Sequence, residues 1–163
     1  METLFSFLDS NGVVTEKVNH PAVFTVEEAK REVPPLPGVE TKSLFLRDGS
    51  GKRHLLVVVG FDTSVDLKAL SEALPSSKLS LASPRRLMEH LGVIPGAVSI
   101  LALYHDRERH AVEVIVDKEV WEADTVQAHP MVNTATLSMS KADLERFLEA
   151  TGHEPRAMEV PRR

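Results

Sequence analysis

The stretch Gly92-Val-Ile-Pro-Gly-Ala-Val-Ser-Ile100 constrains this chain more than any other, because two glycines and a proline interrupt an otherwise apolar run. Pro84 to Leu91 has helical spacing, and Gly92 stands where such a helix ends by entering the left-handed region. Pro95-Gly96 predicts a turn in which proline fixes one φ and glycine accepts the next. Val98 to Leu103 then reads as a strand. Glycines at a helix-strand junction leave main-chain N–H groups uncovered by side chains, open to close approach by a ligand oxygen. A helix cap followed by a turn is the plainer reading of the same residues.

The 163 residues suit one domain, and a hydrophobic content of 42% suffices to bury a core. No run approaches the ~18 uncharged apolar residues of a membrane span. The N-terminal Met1-Glu-Thr-Leu-Phe-Ser-Phe-Leu-Asp9 lacks the basic start of a secretory signal, so a cytoplasmic protein without membrane contact is expected. With no cysteine in the chain, disulfides, thiol catalysis and cysteine-bound zinc are excluded. A net charge of -5 argues against a protein that coats nucleic acid by neutralising many phosphates. Short basic pairs, Lys30-Arg31, Arg85-Arg86 and Arg162-Arg163, leave room for local contact with a polyanion.

Spacing and turn residues order the remaining elements. Thr3 to Ser10 reads as a short amphipathic helix stopped at Asn11-Gly12, and Val14 to Asn19 as a strand ending at His20-Pro21. Thr25-Val-Glu-Glu28 has the capping-box form and predicts a helix over 26–32. The proline-rich Val33 to Gly38 then delivers the chain into a strand, Thr41 to Arg47, with Lys42, Leu44 and Leu46 on one face and Ser43 and Phe45 on the other. After the turn Asp48 to Gly51, the apolar run Leu55 to Val59 predicts a central strand buried on both faces. Asp66 to Leu74 is a helix, Lys78 to Leu81 a short strand, and Ser83-Pro84 opens the helix that ends at Gly92. His105 to His110 reads as a hairpin loop between Val98–Leu103 and a strand Ala111–Val116. Lys118 to Ala123 has room for one helical turn. Past His129-Pro130, a strand places Asn133, Ala135, Leu137 and Met139 on one face, and Ser140 caps a last helix stopped at Gly152.

Lys42 either snorkels to water from the start of its strand or is a partly desolvated ammonium aimed at an anion. His20 lies in a junction loop, ordinarily a surface position. Asn133 on an apolar face must find partners, and its ordinary use is to tie a turn. His105 and His110 lack the carboxylate or cysteine support of a metal site.

Taken together, Val18-Asn-His20-Pro21, Lys42 opening its strand, Gly92-Val-Ile-Pro95-Gly96-Ala-Val98-Ser99 and His129-Pro130-Met-Val-Asn133-Thr-Ala-Thr resemble the YbaK/ProX family. These are freestanding aminoacyl-tRNA deacylases related to the editing domain of bacterial prolyl-tRNA synthetases. The likeness covers most of the chain; Leu4 to Ala29 and Asp62 to Leu91 are most similar to the branch that clears alanine from tRNA for proline. Ser99-Ile100-Leu101 departs from the Ser/Thr-Pro-Phe common in the family, which changes the expected pocket shape.

The resemblance implies a mixed α/β fold with a curved, largely antiparallel sheet surrounded by helices. It also implies hydrolysis of a misacylated tRNA ester with no metal or other cofactor. The acceptor end of tRNA would be the partner, with transient contact to prolyl-tRNA synthetase. Lys42 would hold the terminal adenosine or its phosphate, the backbone at Gly92 and Gly96 would stabilise the oxyanion, and His129 would border the amino-acid pocket, its loop fixed by Asn133. His20, Leu44, Pro95, Val98, Ser99 and Ala135 complete the implied substrate-binding set. The tRNA 2′-hydroxyl would assist attack, so no nucleophile triad is required. Deacylation of cysteinyl or seryl esters, and a non-catalytic tRNA- or nucleic-acid-binding module, are the alternatives.

Overall fold

The computed structural model describes residues 3–22 and 26–163. Its sheet is built outward from β3 (His54–Gly60), every residue of which is buried. β3 pairs antiparallel with β2 (Val39–Arg47) and parallel with β5 (Val112–Asp117). Apolar packing on both faces explains why Leu55 to Val59 shows no alternation of polar and apolar residues.

The eight strands run β1 (Glu16–Asn19), β7 (Ala135–Ser140), β6 (Thr125–Ala128), β2, β3, β5 and β8 (Arg156–Met158), with β4 (Ser80–Leu81) paired to β2. The pairs β1·β7, β6·β7, β2·β3 and β2·β4 are antiparallel, and β2·β6, β3·β5 and β5·β8 are parallel. This is the mixed α/β sheet with helices that the sequence led us to expect.

Alternation along β2 and β3 feeds two cores. Phe45, Leu56 and Val58 enter a large cluster with α1 (Leu4–Ser10), α4 (Pro84–Leu91) and α6 (Lys141–Thr151). Leu46, Leu55 and Val57 enter a second with Leu70 and Leu74 at α3 (Leu67–Ala73). The helix α1 commits three of its seven residues to the large cluster, where Phe7 meets Tyr104 edge-on at 5.1 Å. Truncating a leucine such as Leu56 or Leu91, each 0% exposed, to alanine should cost about 2–5 kcal/mol.

The helix ends follow their capping residues. Ser83 Oγ accepts from the Arg86 amide, and Gly92 closes α4 at φ +63°. Ser140 Oγ accepts from the Asp143 amide, and Gly152 closes α6 at φ +79°. The helix α2 spans Val26–Glu32 as the sequence indicated, while its proposed cap, Thr25, lies outside the described residues. The helical turn α5 (Lys118–Trp121) falls within the segment expected for it.

Three expectations are corrected. Val98 to Leu103 is not a strand: Ile100–Asp106 winds into a 3₁₀ helix, capped by Ser99 Oγ accepting from the Leu101 amide at 3.1 Å. Ile100 to Tyr104 are all buried, and a continuous apolar run of this length cannot be told from a buried strand by periodicity. His105 to His110 is consequently no hairpin loop, because β5 pairs with β3 and β8 rather than with the segment before it. Asn133 lies in the turn before β7, not on a strand face: β7 begins at Ala135, the partner of Asn19 at the end of β1.

Candidate active site

Strand register decides which side chains can meet. β2 aligns Glu40 with Gln127 of β6, and β6 aligns Gln127 with Ser138 of β7. Side chains alternate along a strand, so Glu40, Lys42, Gln127, Thr136 and Ser138 share one face. Val39, Val126, Leu137 and Met139 point to the other, where they pack on the large core.

Lys42 is therefore interior to its strand. β2 begins three residues before Thr41's successor, at Val39, because Val39 and Glu40 pair with β6. Its side chain is half-buried and has no hydrogen bond or ion pair among the described residues. Leu44, two residues on, packs with the second core, so one face carries an ammonium beside leucine as expected.

On this side a small cleft, open to solvent, is lined by Val33, Phe61, Glu40-Thr41, Gln127-Ala128-His129 and Thr136. His129 Nδ1 lies 3.1 Å from the Ala135 carbonyl, which can only accept, so Nδ1 carries the proton and Nε2 is left as an acceptor. Burial pushes the His129 imidazole below its ordinary 6.5; the Ala135 hydrogen bond opposes the shift and neighbouring His20 adds to it. The ring is thus neutral at pH 7, with a free lone pair.

His20 is buried and fully engaged. Its Nδ1 donates to the Pro21 carbonyl at 2.8 Å, and its Nε2 accepts from the Thr136 hydroxyl at 2.9 Å. The two imidazole centroids are 6.5 Å apart. His20, His129, Ala135 and Thr136 form one hydrogen-bonded corner, to which Ala135 contributes its carbonyl.

The Gly92–Ser99 segment is placed differently. Gly96 has φ +93°, and Ala97 N–H closes the Pro95-Gly96 turn on the Ile94 carbonyl at 3.1 Å. Gly92 N–H is spent on Met88, and the amides of Val93, Ile94 and Gly96 have no partner among the described residues. Val93 and Ala97 anchor the segment in the large core, Val98 packs beside them, and Pro95 is exposed. Among the described residues no hydrogen bond joins this segment to the cleft. Asn133 likewise has no side-chain hydrogen bond there; the turn is tied instead by His20 N–H to the Thr134 carbonyl at 2.9 Å.

Sequence reasoning did not single out Val33, Glu40, Thr41, Phe61, Gln127 or Thr136. Gln127 had a signal, a carboxamide between Val126 and Ala128 inside an apolar strand, and Thr136 alternates with Ala135 and Leu137. Val33 and Phe61 had none, because only the fold brings a loop residue and a strand end together.

Residues 20–147 match the aminoacyl-tRNA editing domain family. The chain is 43% identical over 154 residues to prolyl-tRNA synthetase associated domain-containing protein 1 of Danio rerio, covering 93% of this chain and 83% of that one. It is 36% identical over 159 residues to the prolyl-tRNA editing protein ProX of Acetoanaerobium sticklandii, covering 98% and 96%. The solved structure of a candidate trans-editing enzyme for prolyl tRNA synthetase superposes with a TM-score of 0.67 at 19% identity, over 96% of this chain and 92% of the other, a likeness of fold. With the family match spanning most of its length, this chain belongs to the aminoacyl-tRNA editing domain family.

Proposed function

We propose that this protein is a trans-editing deacylase that hydrolyses alanyl-tRNA for proline, acting as a single editing domain on the acceptor end of the misacylated tRNA. Membership of the editing family supports the reaction class. The observation that carries the finer reading is the cleft beside His129, narrowed by Val33 and Phe61. A small acyl group fits such a space by leaving bulk out, whereas a synthetase site gains only ~1–3 kcal/mol per extra methylene and so passes some alanine.

An aminoacyl ester is already activated, so the protein's work is to position it, orient a water and stabilise the oxyanion. Lys42, a cation on the cleft face with no ion pair among the described residues, holds the terminal nucleotide of the tRNA. His129 Nε2 accepts a hydrogen bond from the attacking water or from the terminal 2′-hydroxyl. The amides of Ile94 and Gly96, without a partner among the described residues, are the donors for the oxyanion in this reading. Water adds to the ester carbonyl, the bond to the ribose 3′-oxygen breaks, and that oxygen leaves with a proton relayed through the 2′-hydroxyl. Free alanine and uncharged tRNA result.

The test is release of labelled amino acid from alanyl-, prolyl-, seryl- and cysteinyl-tRNA for proline, without added metal or nucleotide. Rapid loss of alanine with prolyl-tRNA spared is expected. Equal hydrolysis of the alanyl and prolyl esters would refute the sieve, preference for the cysteinyl or seryl ester would reassign the substrate, and no rate above the uncatalysed control would end the enzymatic reading.

A further inference from the structure

Gln127 is 6% exposed, and its Nε2 lies 2.6 Å from the Leu36 carbonyl, 3.3 Å from that of Gly38 and 3.4 Å from that of Pro37. Three main-chain oxygens of one proline-rich segment converge on one nitrogen. A carboxamide nitrogen carries two hydrogens and no lone pair that would repel them, so it suits such a cluster where a carboxylate would not. Ser138 Oγ donates to the Pro37 carbonyl at 2.7 Å from the next strand. Thr41 Oγ1 donates to the Gln127 carbonyl, tying the start of β2 to the same point. At Gly38 an added Cβ would lie 2.9 Å from Thr125, so the segment is seated against β6 as closely as a glycine allows.

This segment carries Val33, which forms one wall of the cleft, while Gln127 itself lies on the floor. A sieve that excludes an acyl group by a few atoms needs a wall that does not yield, and a proline-rich loop tethered only at its ends would yield. We infer that Gln127 and Ser138 clamp the Leu36–Gly38 strap and thereby set the acyl-size limit of the cleft, making them positioning residues for selectivity. The inference rests on the alanyl-tRNA reading of the same site. Ser138 acts wholly through the strap, since it does not line the cleft.

Ser138→Ala decides the matter, assayed as kcat/KM on alanyl- and prolyl-tRNA for proline with a melting curve alongside. The alanyl rate should stay within about threefold, while the prolyl rate rises so that the ratio of the two falls about tenfold, within the range that a methylene-sized change in a pocket governs. Ser138→Thr, which keeps the hydroxyl, should restore the ratio. Gln127→Leu, which removes the donors from the floor itself, should lower the ratio further with some loss of the alanyl rate. An unchanged ratio in folded Ser138→Ala, or a parallel fall of both rates, overturns the clamp. If Ser138→Ala does not fold, an unchanged ratio in folded Gln127→Leu overturns it equally. A wild-type protein that spares alanyl-tRNA or clears both esters alike refutes the parent reading and the clamp with it, and that control separates the two failures.

Discussion

Two histidine clusters in this molecule use the same atoms to opposite ends. At the junction of α6 and β5, Asp106 Oδ2 takes His153 Nε2 at 2.8 Å and the Val112 amide at 2.9 Å, Oδ1 takes the Ala111 amide at 3.1 Å, and His153 Nδ1 meets Thr151 Oγ1 at 2.8 Å. Asp106 and Thr151 are 0% exposed and His153 is 6%. The order Asp-His-Thr imitates a nucleophile relay, yet a Thr151 hydroxyl that no substrate can touch is not a nucleophile. In the cleft, by contrast, the His129 ring has one nitrogen fixed by Ala135 and the other without a partner among the described residues. A closed hydrogen-bond inventory suits scaffold, and the open one facing the cleft is where the proposed function puts the chemistry.

Removing the scaffold cluster should give the largest effect. Asp106→Ala takes the shared acceptor from the Ala111 and Val112 amides and from His153 Nε2, which lies in the interior, a loss of about 3–5 kcal/mol. Chemical denaturation would read that loss, and the rate per folded molecule should stay at the wild-type value. A large fall in that rate in folded protein would make the buried cluster part of the site and erase the contrast.

Lys42→Ala should do the reverse. With no partner among the described residues to lose, the melting temperature should move by no more than ~2 °C, which at this size is under about 1 kcal/mol. Deacylation should drop about 100-fold, roughly 2.7 kcal/mol of transition-state binding. An unfolded or fully active variant would place Lys42 on the wrong side of the comparison.

Gly92 tests the segment lying between the two types. A Cβ there would stand 2.8 Å from His105 Cδ2, and the backbone sits at φ +63°, so Gly92→Val should cost about 1–3 kcal/mol whatever the catalytic role. If Ile94 and Gly96 supply the oxyanion donors, the rate per folded molecule should also fall about tenfold, because the strained helix end reorients both amides. A less stable but fully active Gly92→Val protein would confine the segment to capping and turning the chain.

Much of the scaffold was legible because local chemistry fixed it. Ser83, Gly92, Ser140 and Gly152 mark helix ends through their own hydroxyls and backbone freedom, and Leu55 to Val59 could be little else than a central strand. Ile100–Asp106 was misread because burial on all sides leaves no period to read. The corner of the cleft was half legible. His20, His129 and Ala135 came from their motifs, but Gln127 and Thr136 join them through the β2·β6 and β6·β7 pairing, which links residues some 10 to 90 positions apart, and Val33 and Phe61 through the chain flanking β2 and β3. The parallel β2·β6 pairing has no turn signature between its strands to announce it.

Acid should separate the two kinds of cluster most finely. His54 and His90 are packed with ring centroids 4.1 Å apart, and Arg86 Nη1 donates to His54 Nε2 at 2.9 Å. Burial lowers the His54 pKa below 6.5, with His90 and Arg86 adding to the shift and Asp48 and Glu89 opposing it. Burial lowers that of His90 too, with Arg109 and Arg86 adding, Glu89 and Asp106 opposing, and Nδ1 left without a partner. A histidine whose folded pKa is depressed takes up its proton in the unfolded chain first. Stability should therefore be full above pH 6.5 and fall as pH drops from 6.5 towards the folded values. Asp106 behaves on a different limb. Burial raises its pKa, but hydrogen bonds from His153 and the Val112 and Ala111 amides outweigh that and hold it below 3.8, so its stabilisation is lost only as pH falls beneath that value. Activity should follow His129 instead, steady at neutral pH and declining once acid protonates Nε2, also below 6.5. Replacing His90 with phenylalanine should make the first stability limb shallower, with His54, His105 and His129 still contributing to it, while the acid limb of kcat/KM stays where it was. Loss of both limbs together in that variant would show that the activity profile reports unfolding rather than the cleft imidazole.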